Sequence, residues 1–247
     1  MSSSSFTAFS TSVIGGHLDE IVIAGAAGVD AEDLTASEVT LVTILVDASS
    51  SIASRGLTDA VVHGYGELLA AFSNAREKEG MLVALWTFND EARVVHAYVP
   101  VDDATRLDRS TYTPVGCTRL YDTFCDALTA NVAYADRLRA AGAPTESIVI
   151  VVTDGEDAGS RRTASDCRDL LRKALATEAW QAAFVGVGTD VDFRNVAKQM
   201  GFPASSVAVC EHATPTSLRA LFRMVSQATL AASMASPGGG RGGFFGP

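Results

Sequence analysis

"VTLVTILVDASSSI", residues 39–52, is an apolar, β-branched run that stops in an acid followed by hydroxyls. Eight residues from Val39 to Val46 with so little polar interruption read as a strand buried on both faces, the kind found in the middle of a parallel sheet. The strand then ends in Asp47, Ser49 and Ser51. These three alternate along the chain, so an extended loop can turn them to one side.

The same grammar recurs downstream. From Thr58 the positions Val61, Val62, Tyr65, Leu68, Leu69 and Phe72 follow helical spacing, and a helix is expected until Gly80. "MLVALWTF" (81–88) and "ARVVHAYVP" (92–100) are two strands joined by the short turn Asn89-Asp90-Glu91, an antiparallel pair at a sheet edge. After a polar loop, 102–116, a helix carries Leu120, Phe124, Leu128, Val132 and Leu138 on one stripe, and Gly142 and Pro144 stop it. "SIVIVVT" (147–153) is a central parallel strand. A helix near 164–178, a strand at 182–188, a short helix near 192–200, a strand at 206–210 and a helix over about 215–235 complete the series. Such alternation predicts a doubly wound α/β fold: a mostly parallel central sheet with one antiparallel edge strand and helices on both faces.

The 247 residues suffice for one such domain, expected over 40–235. Residues 1–39 form an N-terminal extension that adds a strand or a short helix, and 236–247, "SPGGGRGGFFGP", are expected to be a flexible glycine-rich tail carrying Phe244 and Phe245. No apolar run approaches the roughly 20 residues of a membrane helix. The opening "MSSSSFTAFS" lacks the basic and apolar regions of a secretory signal, so a cytoplasmic location is expected. Cys117, Cys125, Cys167 and Cys210 form no CxxC pair and read as reduced, mostly core residues. A net charge of -10 opposes binding to nucleic acid or to an anionic membrane and favours proteins or cations as partners.

In open α/β sheets, ligands bind where loops leave the carboxyl ends of the strands. One end carries Asp47, Ser49 and Ser51, and the central strand ends in Asp154 within "TDGED". Between them "VGCTRLYD" places Thr118 at a helix start. Two carboxylates and three hydroxyls from three separated segments form a hard oxygen set that suits Mg²⁺, with Mn²⁺ or Ca²⁺ as alternatives.

With these residues in place the chain resembles the von Willebrand factor A domain family. "DASSS" (47–51) is similar to its D-x-S-x-S motif, "CTRLYD" (117–122) to its threonine loop and "TDGED" (153–157) to its acidic loop, the three parts of a metal-ion-dependent adhesion site. The resemblance implies a metal held by Asp47, Ser49, Ser51, Thr118 and Asp154, leaving a position for an Asp or Glu from a protein partner. Cys117 stands where the family often has glycine, a larger side chain that can shift the Thr118 loop, so Thr118 is the ligand of the five that the resemblance carries least directly. Arg55, Arg119, Arg161 and Arg162 flank the site and are candidate partner-binding residues. The resemblance points to intracellular bacterial members, either adaptors of AAA+ ATPases of the chelatase and MoxR type or components of tellurite-resistance-like stress systems. The segment "TPTSLRALFRMVSQATLAAS" (214–233) is similar to the C-terminal helix of the latter.

Catalysis is not expected. No G-x-S-x-G elbow surrounds Ser49 to Ser51, no phosphate-binding G-x-x-x-x-G-K-[ST] loop exists, and His17, His63, His96 and His212 do not cluster. The alternatives to a metal-dependent interaction module are a metal-dependent phosphohydrolase, with Asp47 and Asp154 around Mg²⁺, and a structural scaffold that does not use the metal.

Overall fold

The computed structural model of the chain describes residues 19–177, 179–234 and 243–246. Along the chain run α1 (Glu20–Gly25), β1 (Val39–Asp47), α2 (Ser50–Ser54), α3 (Thr58–Ser73), β2 (Met81–Phe88) and β3 (Ala92–Pro100). They are followed by α4 (Leu120–Ala140), β4 (Thr145–Thr153), α5 (Ala164–Leu175), β5 (Trp180–Val187), α6 (Phe193–Gln199), β6 (Val207–Cys210) and α7 (Pro215–Ser233).

The six strands form one sheet in the order β3-β2-β1-β4-β5-β6. All neighbours are parallel except β2 and β3. The expected doubly wound architecture is therefore present. From β1 the chain winds outward to β2 and β3, returns to β4 beside β1, and winds outward the other way. Connections leave the carboxyl ends of β1 and β4 in opposite directions, which opens a crevice between them. Val46 pairs with Val152, so Asp47 and Thr153 close their strands side by side.

Alternation along the strands fills two cores. Leu41, Leu45, Val149 and Val151 join residues of α1, α4, α5 and α6 on one face. Val42, Ile44, Val46, Ile150 and Val152 join α2, α3 and α7 on the other. A polar network sits in the first core. The Thr43 and Tyr98 hydroxyls bond at 2.6 Å, Asn131 donates to Thr43 at 2.9 Å, and Ser147 donates to Asn131 at 2.7 Å. Each buried polar atom is thus matched, which is the condition for carrying polarity inside a core.

Three boundaries differ from expectation. Helix α3 ends at Ser73, with only a 3₁₀ turn at Lys78–Gly80, because the apolar spacing stops at Phe72 and "SNAREKEG" has no face to bury. The domain starts before residue 40: among the described residues 19–39, Val22 is buried, Gly28 bridges Tyr98, and the Tyr134 hydroxyl donates to the Val29 carbonyl at 2.8 Å. A β-carbon at Gly28 would lie 2.5 Å from the Tyr134 ring, so only glycine allows this approach. At the other end, residues 243–246 are packed and not loose. The Phe245 amide donates to the Ser205 carbonyl at 3.1 Å, and Phe244 is buried in the second core. Burial of the Phe244 ring favours this packed end. No helix among the described residues is long and apolar enough to cross a membrane.

Candidate metal centre

The carboxylate of Asp47 sits at the floor of the crevice. One oxygen accepts the Ser49 amide at 2.8 Å and the other accepts the Thr153 hydroxyl at 2.6 Å. The Tyr112 hydroxyl donates to the Asp47 carbonyl, fixing the end of the strand from outside the sheet. Ser49 and Ser51 hydroxyls lie 2.9 Å apart, and Ser51 donates to Asp154 Oδ1 at 2.6 Å. Thr118 joins them through a bridge to Ala158, and its hydroxyl oxygen is 3.4 Å from where a β-carbon on Gly155 would stand. The structure therefore brings Asp47, Ser49, Ser51 and Asp154 together and places Thr118 beside Gly155, the residue after Asp154.

The Thr118 loop is anchored on both sides. Val115 donates its amide to the Ala48 carbonyl at 2.8 Å, and the Ser50 amide donates to the Gly116 carbonyl at 3.1 Å. The Cys117 amide donates to Asp90 in the β2–β3 turn at 2.9 Å. Gly116 has φ +75°, and a β-carbon there would fall 2.0 Å from the Asp90 carboxylate. A glycine is thus required at 116, and the Cys117 side chain beside it is exposed.

Burial makes this an expensive place for charge. Burial pushes the Asp47 carboxyl up to about 6, against the hydrogen bonds from Ser49 and Thr153 that favour its ionised form. Asp154 is likewise raised by burial, opposed by the Ser51 hydroxyl and by Arg55. Asp154 Oδ2 is buried and accepts no hydrogen bond; the Arg55 Nε lies 3.4 Å away as an ion pair without hydrogen-bond geometry. Two desolvated carboxylates, one with an unsatisfied oxygen, together with three hydroxyls, fit a small hard cation. No cluster of three or more His, Cys, Asp or Glu side chains occurs among the described residues, so a cation here depends on the hydroxyls.

The four arginines are placed differently from one another. Arg55 spans Asp154 and Asp190. Arg119 pairs with Asp122 at 2.6 Å, and Arg162 pairs with Asp126. Asp122 also accepts the Arg161 and Arg162 amides, while the Ser160 hydroxyl accepts the Asp122 amide. Arg162 thus ties the loop after β4 to α4, while Arg119, at the start of α4, ties that helix to the β2–β3 turn by donating to the Asp90 carbonyl at 3.2 Å. Among the histidines, His63 bonds the Asp59 carbonyl and His96 the Tyr65 hydroxyl, while His17 lies outside the described residues. Thr153 reads in the sequence only as the first residue of "TDGED", Tyr112 only as part of the polar loop 102–116, and Asp90 only as part of the turn that joins β2 and β3. Thr153 had a signal, a lone hydroxyl ending an otherwise apolar strand.

No family model matches the sequence, and no curated protein matches it. In structure the chain is similar to proximal thread matrix protein 1 from the mussel byssus, at 20% identity and TM-score 0.56, over 78% of this chain and 46% of that one. It is similar to a von Willebrand factor type A structure from Catenulispora acidiphila, at 17% identity and TM-score 0.53, over 78% of this chain and 43% of that one. It is also similar to the pilus adhesin SpaC from Lactobacillus rhamnosus GG, at 12% identity and TM-score 0.59, over 78% of this chain and 31% of that one. The chain spans less than half the length of each of these structures. At these identities the likeness is one of fold, and the fold is that of a von Willebrand A-type domain. The mussel protein has also been solved with a zinc-occupied MIDAS motif.

Proposed function

We propose that this domain is a metal-dependent protein-interaction module whose site binds Mg²⁺ through Asp47, Ser49, Ser51, Thr118 and Asp154. The carrying observation is the meeting of two buried carboxylates and three hydroxyl residues at the switch point of the sheet, with Asp154 Oδ2 left without a hydrogen-bond donor. A bound divalent ion supplies Lewis acidity there, offering a coordination position to an Asp or Glu carboxylate of a partner. The protein's own part is to hold the donors. Thr153 and the Ser49 amide orient Asp47, Ser51 orients Asp154, and Asp90 holds the loop that presents Thr118. A recognition role is favoured over catalysis because His63 and His96 are committed to internal hydrogen bonds. The proposed setting is a complex linked to an AAA+ ATPase or to a tellurite-resistance-like stress system in the bacterial cytoplasm, supported by the likeness of residues 214–233 to the C-terminal helix of the latter.

Panning a random peptide library against the immobilised domain in Mg²⁺, with elution by chelator, tests this reading. The expected peptides share one invariant Asp or Glu and lose binding to Thr118→Ala. Chelator-insensitive peptides without a common acid would contradict it.

A further inference from the structure

Arg55 follows the hydroxyl-bearing segment directly, as the residue that caps α2. Its guanidinium reaches back over the site. Nε is 3.4 Å from the buried oxygen of Asp154, and Nη2 is 2.7 Å from Asp190 in the loop after β5. That loop is shaped to receive it: Gly188 has φ +110°, and a β-carbon there would fall 2.5 Å from Arg55 Nη1. Arg55 is thus a fixed positive charge beside one of the two carboxylates that the proposed cation would use.

The two holds on Arg55 are unequal. Asp154 is buried, but its contact with Arg55 lacks hydrogen-bond geometry. The bond to Asp190 is short, but the Asp190 side chain is 74% exposed. Exposed ion pairs hold weakly and exchange readily with other partners. A divalent ion on Asp154 and a guanidinium 3.4 Å from that carboxylate repel at a distance well inside the Debye length of about 8 Å, where salt screens little.

We propose that Arg55 is a built-in counter-cation that weakens metal binding by the isolated domain and is neutralised when an acidic partner docks, so that metal and partner carboxylate bind cooperatively. This rests on the metal-dependent reading of the site and adds its regulation. An arriving carboxylate offers Arg55 a negative partner at the moment the metal needs the repulsion relieved. The domain then engages a partner only when both are present, and free divalent ion alone binds weakly though saturably.

Calorimetric titration with MgCl₂ or MnCl₂ of the whole chain, compared with Arg55→Gln, Arg55→Lys, Asp190→Asn and Asp154→Ala, tests the proposal, with circular dichroism to check each fold. Arg55→Gln is expected to bind about tenfold or more tightly, equivalent to about 1.4 kcal/mol, and Arg55→Lys within about threefold of the parent. Asp190→Asn, which removes the acid that balances Arg55, is expected to bind more weakly than the parent. A purely structural role for the Arg55 bridge would move the Gln and Asn variants in the same direction, and that result, or unchanged affinity in Arg55→Gln, overturns the proposal. If neither the parent nor Arg55→Gln binds either ion, the metal reading itself falls and this inference with it.

Discussion

Replacing Asp47 by Asn in the metal-free protein is expected to stabilise the fold at neutral pH, although it removes a residue from the centre of the site. The Asp47 carboxyl moves from 3.8 to about 6 through burial, so the folded state holds its proton more tightly than the unfolded state. The contribution of Asp47 to stability is therefore most favourable below pH 3.8, falls as pH rises toward 6, and stays low above it. A rise of roughly 2.2 pH units corresponds to about 3 kcal/mol of strain at pH 7.5. Asn removes that charge but has one acceptor oxygen for two donors, the Ser49 amide and the Thr153 hydroxyl. Leaving one donor unmatched costs about 1–2 kcal/mol. The variant should thus gain about 1–2 kcal/mol, or about 3–6 °C in Tm, at pH 7.5 in chelator. At pH 5 the parent recovers roughly half of that cost, and the two should melt nearly together. Thermal denaturation followed by circular dichroism reads both points. A variant that melts below its parent at pH 7.5, by a margin that does not change at pH 5, would refute the view that this buried charge lacks its counter-ion.

Further expectations concern packing and the support of the site. Gly64→Ala places a β-carbon 2.2 Å from the Phe222 ring, whereas a β-carbon at Gly66 in the same helix meets nothing within 4 Å. The first should destabilise by about 1–3 kcal/mol through overpacking and the second stabilise by about 0.5–1 kcal/mol through helix propensity, as read by urea denaturation. Asn131→Ala takes the acceptor from Ser147 and a donor from Thr43, and should cost about 2–3 kcal/mol in the same assay. Asp90→Ala frees the Cys117 amide and loosens the Thr118 loop, so Mg²⁺ affinity measured by calorimetry should fall about tenfold while the melting temperature changes little.

The strands could be read directly from the sequence because parallel strands covered on both faces need runs that are almost wholly apolar or β-branched. Val39 to Val46 and Ile148 to Val152 are such runs, and the structure keeps both. The five candidate ligands could be read for a related reason: Asp47 and Asp154 end or follow those runs, where polarity is otherwise unexplained. What supports them could not. Tyr112 reaches Asp47 across 65 positions, and Asp90 reaches Cys117 across 27, through contacts that only the folded chain creates. Arg55 reads in the sequence as a candidate partner-binding residue, because Asp190, which it bonds in the fold, is 135 positions away. The packed end of the chain was hidden by composition. Glycines around Phe244 resemble a linker, yet a β-carbon at Gly243 would stand 1.9 Å from that of Ser205, so there glycine serves close packing.

The most direct test of the central claim is a calorimetric titration of the purified chain with Mg²⁺ and Mn²⁺, beside its Asp47→Ala/Ser49→Ala variant. The account predicts one saturable site per chain in the parent and none in the variant, with the fold of both intact. Binding that survives unchanged in the variant would contradict it, as would a parent that takes up neither ion even when an acidic peptide is supplied.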